Sequence, residues 1–309
     1  MRCPICNSEN SIPYELIDGY EYFQCGKCKS LHISDDVIRN IDRGESPRIY
    51  NQSYWNQELK DALERARGPS LVRAGEAILY CRRPVTRFLD VGTGPGYFLD
   101  EISRLYPNDK ELFHGVELFP PDEHSKNDNY HIGDVSSLKD GKYDAGICIE
   151  VVEHLTPSML SDVVISLAKL SHERSIWLFN TGLPEYVMKE DKGYLDPINR
   201  GHIISYSIDG LKKIFEPHGF NIFKLPGKSF AFIAEYNPGQ EESASFEQRI
   251  FSPIKENEDL LIKNPLLYQA VSESARGYFY YEGYVDRTQW ALNLDQELKK
   301  IKSKNNSNV

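Results

Sequence analysis

The segment Phe88-Leu89-Asp90-Val91-Gly92-Thr93-Gly94-Pro95-Gly96-Tyr97-Phe98-Leu99 decides the predicted fold, because an apolar strand runs directly into a glycine-rich loop. Apolar side chains after the loop recur at the helical period, so a helix is expected to follow it. Glycines let the backbone turn sharply and approach a ligand closely. The loop lacks the Lys-Ser/Thr ending of a phosphate-binding loop, which disfavours ATP or GTP chemistry.

Three further strand-like runs follow the loop, and each ends in an acidic residue. The runs 112–117, 130–134 and 143–150 end in Glu117, Asp134 and Glu150. In an open α/β sheet the carboxyl ends of parallel strands border the ligand crevice. Glu117 is therefore expected to accept hydrogen bonds from ribose hydroxyls, and Asp134 from an adenine amino group. A solvated carboxylate at Glu117 and a helix N-cap at Asp134 are the alternatives.

Composition divides the 309-residue chain into four predicted regions. Residues 1–33 are punctuated by cysteines, and residues 34–84 are polar and mainly helical, a linker that could also form a cofactor lid. Between residues 85 and 236, strands alternate with helices, which is typical of βαβ units around a mainly parallel sheet. Residues 237–309 are predicted to be a helical extension with a disordered polar tail at 302–308.

Two Cys-x-x-Cys pairs, separated by 18 residues, mark the N-terminal region. Their members are Cys3, Cys6, Cys25 and Cys28. Each pair can present two thiolates to one ion, and this separation is the one expected of a tetrahedral zinc site. Because four thiolates leave no open coordination position, the predicted zinc is structural. A redox dithiol and free buried thiols are the alternatives.

The ordered motifs resemble the S-adenosylmethionine-dependent methyltransferase family of Rossmann-like fold. The resemblance covers about residues 85–236 and includes the glycine loop, Glu117, the Gly133-Asp134 pair and residues 150–155. It implies an α/β fold with a seven-stranded methyltransferase sheet, preceded here by the zinc ribbon and followed by the helical extension. The ribbon followed by residues 50–55 is also similar to bacterial methyltransferases that modify sugars or other small molecules of surface-glycan and secondary-metabolite biosynthesis.

The resemblance implies a cofactor-binding role for a defined set of residues. The methionine part is assigned to Asp90, Gly92, Gly94 and Gly96, the ribose side to Glu117 and Leu118, the adenine to Asp134 and Val135, and the sulfonium surroundings to Glu150 and Val151. Tyr54, with Tyr50 and Trp55, is expected to close over the cofactor from the other side, unless these aromatics simply pack an N-terminal helix.

Two histidines lie near the predicted edges of the crevice. A hydroxyl acceptor of the methyl group needs a general base near neutral pH, for which histidine is suited. His154 follows the fourth strand and His202 follows the fifth, so both are candidate bases. The alternatives are that His154 caps the next helix and that His202 positions a loop. The segment between residues 181 and 205 is predicted to be a lid over the substrate.

The expected function is transfer of a methyl group from S-adenosylmethionine to a small molecule, most simply a sugar or sugar-nucleotide. Lys plus Arg number 36 and Asp plus Glu number 46, and the resulting charge of −10 disfavours nucleic acid as a partner. The alternative is an RNA- or protein-directed methyltransferase, or a non-enzymatic binding module, that docks through its ribbon. No membrane-spanning stretch or signal-peptide core is apparent, so a cytoplasmic location is expected.

The C-terminal region contains an apolar stripe at helical spacing. The helix is predicted to begin at Trp290, and the stripe comprises Ala291, Leu294, Leu298 and Ile301. Such a stripe is expected to be buried. Packing within the chain, on the core or on the aromatic cluster at 278–284, is the favoured arrangement, and contact with a second subunit in a homodimer is the alternative.

Overall fold

The computed structural model describes residues 1–139, 141–239 and 246–306. Eleven strands form two sheets in this part of the chain. The strands are β1 (Ser11–Ile17), β2 (Tyr20–Cys25), β3 (Leu31–Ile33), β4 (Phe88–Val91), β5 (Phe113–Glu117), β6 (Tyr130–Ile132), β7 (Tyr143–Ile149), β8 (Ser171–Asn180), β9 (Ile204–Ser205), β10 (Phe220–Lys224) and β11 (Ala231–Tyr236).

The larger sheet has seven strands in the order β10-β11-β8-β7-β4-β5-β6. Strands β4 to β8 pair in parallel, whereas β11 runs antiparallel to both of its neighbours. This mixed seven-stranded sheet confirms the predicted α/β fold. The strand order places the carboxyl ends of β4, β5 and β7 side by side, where an open sheet forms its ligand crevice.

Ten α-helices surround the two sheets in the described residues. They are α1 (Asp35–Asp42), α2 (Gln52–Arg67), α3 (Pro69–Tyr80), α4 (Tyr97–Leu105), α5 (Pro157–Leu170), α6 (Pro184–Lys189), α7 (Ile208–Phe215), α8 (Phe246–Phe251), α9 (Lys255–Ile262) and α10 (Pro265–Asn306). The start of α5 shows the local cause of one helix: Pro157 occupies its first turn, and the Thr156 hydroxyl accepts from the Met159 backbone N–H. None of the helices in the described ranges has the length and apolar character needed to cross a membrane.

The smaller sheet joins the cysteine-containing region to the rest of the chain. Its order is β1-β2-β3-β9, so a strand from after β8 completes a sheet that begins near the N-terminus. In the β3–β9 pairing, Leu31 is opposite Ser205 and His32 is opposite Ile204. The Tyr22 hydroxyl also donates to the His202 carbonyl oxygen at 2.7 Å. The N-terminal region therefore supports the segment that contains His202.

The C-terminal helix differs from its prediction. Helix α10 begins at Pro265 rather than at Trp290 and continues to Asn306, into the tail predicted to be disordered; residues 307–309 lie outside the described residues. Its first half is packed, with Val271 and Ala275 buried near α3. The later stripe is not packed: Leu294 is 44% exposed, Leu298 50% and Ile301 56%. The prediction of packing within the chain is therefore wrong for this stripe.

From the spacing along the exposed half of α10 we expect a second subunit to cover it. Positions alternate by four and three residues through Tyr280, Tyr284, Arg287, Ala291, Leu294, Leu298 and Ile301. This is the heptad repeat of a coiled coil, in which the apolar positions of two helices interlock. The single charged position, Arg287, weakens the repeat at one level only.

We therefore expect the full chain to be a dimer in size-exclusion chromatography with light scattering. Truncation after residue 286 removes the last five of these positions but keeps the packed half of α10, so the truncated chain should be a folded monomer. Leu294→Glu together with Leu298→Glu should have the same effect, and Lys299→Glu on the same helix serves as the control. A full chain that is monomeric at micromolar concentration would contradict this prediction.

Candidate active site

A cavity of about 400 Å³ lies at the carboxyl ends of β4, β5 and β7. Every residue of the predicted cofactor-binding set except Gly96 lines it. These residues are Tyr54, Asp90, Gly92, Gly94, Glu117, Leu118, Asp134, Val135, Glu150 and Val151, with Gly96 following the lining residue Pro95 as the next residue of the loop. His154 lines the same cavity, whereas His202 does not. Sequence positions that are more than 90 residues apart therefore border one space.

In the glycine loop between β4 and α4, the backbone adopts conformations that residues other than glycine rarely adopt. Gly92 has a φ of 74°, and a Cβ added there would lie 2.5 Å from a methyl carbon of Val151. At Gly96, with a φ of 80°, an added Cβ would lie 2.6 Å from the Ser125 Cβ. Both positions therefore require glycine for the left-handed conformation and for the close approach. The loop leaves its backbone facing the cavity.

Glu117 ends β5 with both carboxylate oxygens held by the backbone. One oxygen accepts from the Gly94 N–H and the other from the Phe119 N–H, each at 2.8 Å. Glu117 is only 9% exposed, and burial raises the pKa of its carboxyl. Asp90, at the end of β4, is 4% exposed, and burial raises its pKa to about 7. The cavity therefore presents two fixed carboxyl groups beside the glycine loop.

The third predicted acid has a different environment. Asp134 begins a short 3-10 turn, and its Oδ1 accepts from the Ser136 N–H at 2.7 Å. Hydrogen bonds from Ser136 lower the pKa of this carboxyl. Asp134 thus forms the N-cap that the sequence left as an alternative, while it also lines the cavity beside Val135. The two interpretations are compatible.

The residues after β7 bring two carboxyl groups close together. Glu150 has a φ of 54°, and its carboxylate accepts from the Asn180 side-chain amide at 2.8 Å. Burial and the nearby charge of Glu153 raise the pKa of Glu150 to about 8. Glu153 itself is fully buried, and burial raises its pKa as well. A strained backbone and paired buried acids are typical of a functional site.

His154 lies between the cavity and the segment that precedes β9. Its Nδ1 is 2.9 Å from the Tyr50 hydroxyl and 3.1 Å from the Gly201 carbonyl oxygen. Burial lowers the pKa of His154. His202 packs against it, with 4.9 Å between the ring centroids, and is only 6% exposed. Burial lowers the pKa of His202 to about 2, so its imidazole is neutral.

Helix α2 supplies aromatic side chains that close one side of the cavity. Tyr50, just before the helix, together with Tyr54 and Trp55, lines the cavity. The Trp55 indole N–H donates to the Phe119 carbonyl oxygen at 2.7 Å, which fixes the helix above the glycine loop. By contrast, residues 181–205, predicted to be a substrate lid, contribute nothing to the cavity wall. They pack behind His154 instead.

The four N-terminal cysteines form a second candidate site. Their sulfur atoms all lie within 4.8 Å of one another, with 3.8 Å between Cys3 and Cys28 and 3.6 Å between Cys6 and Cys25. A tetrahedral zinc ion about 2.3 Å from each sulfur would hold the sulfurs about 3.8 Å apart. The donor set and spacing therefore fit zinc.

Sequence reasoning did not single out Glu153 or Phe119 as site residues. Glu153 lies in the quoted run between Glu150 and His154, but its proximity to His202 depends on a residue 49 positions further along the chain. Phe119 lines the cavity because its loop folds back from β5. The position of Glu153 next to His154 could have indicated Glu153 as a site residue. Nothing comparable in the sequence indicated Phe119.

Comparison with solved structures gives distant likenesses. DesVI from Streptomyces venezuelae shares 16% identity over 60% of this chain and 98% of its own, with a TM-score of 0.42. CalS10, an amino pentose methyltransferase from Micromonospora echinaspora, shares 15% over 58% of this chain and 97% of its own, with a TM-score of 0.42. Magnesium protoporphyrin IX methyltransferase from Synechocystis shares 17% over 60% and 95%, with a TM-score of 0.37.

Comparison with sequence families is more direct. No curated protein sequence matches the chain significantly. The family described as a methyltransferase domain matches residues 49–225, more than half of the chain. The matched region begins just before Tyr50 and ends just after β10, so it contains the cavity-lining residues from Tyr50 to Val163, whereas Ile41, Gly44 and Ser46 of the wall precede it. The chain belongs to this methyltransferase family and is an S-adenosylmethionine-dependent methyltransferase.

Proposed function

We propose that this enzyme methylates a hydroxyl group of a small molecule of the sugar type within the cavity at the carboxyl ends of β4, β5 and β7. The supporting observation is that the predicted cofactor residues and His154 border one cavity of about 400 Å³. This volume is within the range of small-molecule sites. A partly enclosed cavity favours a small acceptor over a macromolecular one.

The cofactor end of the cavity has groups that fit S-adenosylmethionine. When bound, S-adenosylmethionine supplies a methyl group activated by its sulfonium. We assign the ribose to Glu117, whose carboxylate is already fixed by two backbone N–H groups. The backbone of the glycine loop and Asp90 would hold the methionine part, and Asp134 and Val135 would border the adenine. Leu118 adds an exposed apolar side chain on the ribose side.

The acceptor end of the cavity has aromatic walls and one imidazole. Tyr50 offers a face on which the apolar side of a sugar ring can pack, next to Tyr54, which is assigned to the cofactor. His154 also faces this end, and its contact with the Tyr50 hydroxyl holds the imidazole in place. We propose that Glu150 and Val151 border the sulfonium and that His154 is the residue nearest the reacting hydroxyl. His202 does not line the cavity but packs against His154 and helps to position its imidazole.

The cysteine cluster is proposed to hold one structural zinc ion. Within this proposal, residues 1–33 form a zinc ribbon, residues 34–84 a linker whose α2 covers the cofactor, residues 85–236 the methyltransferase domain, and residues 237–309 the C-terminal extension. The pairing of β3 with β9 gives the ribbon a role in this arrangement, because it fixes the segment that contains His202.

A mass-resolved assay with methyl-deuterated S-adenosylmethionine tests the proposed function. We expect the label to appear on a hydroxyl oxygen of a sugar or sugar-nucleotide acceptor. Glu117→Ala should weaken cofactor binding by about 1–3 kcal/mol, because it removes a partner from charge-assisted hydrogen bonds. Glu123→Ala, an exposed carboxylate in the loop after β5, is the control and should bind normally. Label found on RNA or protein, and on no sugar-type acceptor, would overturn the proposal.

A further inference from the structure

Three side chains behind the acceptor end of the cavity bring metal-ligating atoms together. One carboxylate oxygen of Glu153 and one ring nitrogen each from His154 and His202 lie within 4.8 Å of one another. The three residues come from the turn after β7 and from the segment before β9. This cluster is separate from the four cysteines and has a different ligand chemistry.

The Glu153 carboxylate lies close to the Glu150 carboxyl group and to the hydroxyls of Thr181 and Tyr194. It is fully buried, and among the described residues neither of its oxygens has a hydrogen-bond partner. The nearby hydroxyls of Thr181 and Tyr194 contact each other at 3.3 Å. A buried carboxylate without a partner is costly, so such groups are normally paired with a cation or a donor.

The orientation of the His202 ring indicates what kind of group could lie between His202 and Glu153. Its Nδ1 lies 2.7 Å from the Tyr194 carbonyl oxygen, and because a carbonyl can only accept, this nitrogen carries the proton. The other nitrogen, Nε2, then has a lone pair and lies 3.8 Å from the Glu153 Oε1. A lone pair and a carboxylate oxygen facing each other at this distance repel unless a proton or a metal cation lies between them.

We propose that Glu153, His154 and His202 form a binding site for one divalent transition-metal cation, of the Mn²⁺ type. Two imidazole nitrogens and one carboxylate are ligands that such cations accept, and three protein ligands leave coordination positions open. The carbonyl that fixes the His202 ring is the outer contact expected of a metal-ligating histidine. The cysteine site offers only thiolate ligands, whereas this site offers nitrogen and oxygen ligands, so the two sites differ in the metals they prefer.

The location gives the cation a role that rests on the proposed function. His154 also lines the cavity, so the cation would lie at the acceptor end, where an oxygen-bearing acceptor can occupy an open coordination position. It would hold an acceptor hydroxyl beside the sulfonium pocket and lower its pKa, so that its proton is released to solvent as the oxygen takes the methyl group and S-adenosylhomocysteine leaves. The substrate class is then an acceptor whose hydroxyl oxygen, alone or together with a neighbouring oxygen atom, can bind the cation.

Electron paramagnetic resonance of Mn²⁺, titrated into the full chain with zinc retained in the ribbon, tests the site. The wild-type chain should bind one Mn²⁺, and both Glu153→Gln and His202→Gln should weaken binding by more than about tenfold. His172→Gln, at the start of β8 and outside the cluster, should bind Mn²⁺ as the wild type does. Thermal unfolding of the wild type should shift upward with added Mn²⁺, and the shift should be absent in Glu153→Gln.

Two results would overturn the inference. One is a wild-type chain that binds no Mn²⁺, and the other is Glu153→Gln binding Mn²⁺ with unchanged affinity; either would leave a metal-free histidine and carboxylate cluster. Retained S-adenosylhomocysteine binding by Glu153→Gln shows that the variant is folded. Because Mn²⁺ binding is measured without acceptor, its failure leaves the proposed methyl transfer untouched, and a failed acceptor assay leaves the metal result untouched.

Discussion

Cys25→Ser is expected to reduce the zinc content of the purified chain from one ion per chain to nearly none. The sulfur of Cys25 is 3.6 Å from that of Cys6, and Ser supplies no comparable ligand for a thiolate site. Structural zinc in small modules contributes about 10–16 kcal/mol of apparent binding free energy, most of which stabilises the folded module. The ribbon of the variant should therefore unfold.

The loss should extend beyond the ribbon because β3 pairs with β9. Without the ribbon, the Tyr22 hydroxyl no longer holds the His202 carbonyl, and the unfolding temperature and the methyl-transfer rate should both fall. Metal analysis and calorimetric melting measure these effects. Cys81→Ser, a buried cysteine outside the cluster, is the control for zinc content. Wild-type protein without zinc, or a Cys25→Ser variant that keeps it, would contradict the prediction.

His154→Gln should lower the turnover number by about 10²–10⁴-fold and leave cofactor affinity nearly unchanged. His154 lines the cavity at the acceptor end, whereas the residues assigned to the cofactor lie nearer to the glycine loop. The size of the effect follows from the loss of the imidazole nitrogen, whether it acts as the base predicted from the sequence or as a cation ligand.

Steady-state turnover and calorimetric binding of S-adenosylmethionine measure the two quantities separately. His172→Gln is the control and should retain both. Added Mn²⁺ distinguishes the two roles, since it should raise the turnover of chelator-treated wild-type enzyme only if His154 ligates a cation. Near-normal turnover in His154→Gln would show that the imidazole has no part in methyl transfer.

The central sheet could be predicted because its signals are local. The strand before the glycine loop, the acid at the end of β5 and the run after β7 can each be identified within a few residues, and parallel topology then brings their ends together. The actual strand bounds differ by a few residues at their ends. Strands β8, β10 and β11 complete the sheet near Tyr236, where the alternation of strands and helices was expected to end.

Contacts between distant segments could not be predicted. Strand β9 has two residues, Ile204 and Ser205, and its pairing with β3 spans more than 170 residues of sequence. The encounter of Glu153 with His202 depends on the same segment. No local periodicity records such contacts, because they depend on how the segment between β8 and β9 packs against the ribbon.

The apolar stripe of α10 shows a further limit of sequence patterns. Periodicity identifies Leu294 and Leu298 as members of one helical face, but it does not say what covers that face. The expected cover was the same chain, whereas the helix extends away from the core and leaves both side chains about half exposed. Burial of such a face is a property of the assembly and not of the helix alone.

A crystal structure of the full chain with S-adenosylhomocysteine would test the central claim most directly. We expect one molecule per chain in the cavity at the ends of β4, β5 and β7, with the ribose hydroxyls bonded to the Glu117 carboxylate and the adenine beside Val135. S-adenosylhomocysteine bound elsewhere, or a cavity that remains empty at saturating ligand concentration, would contradict it.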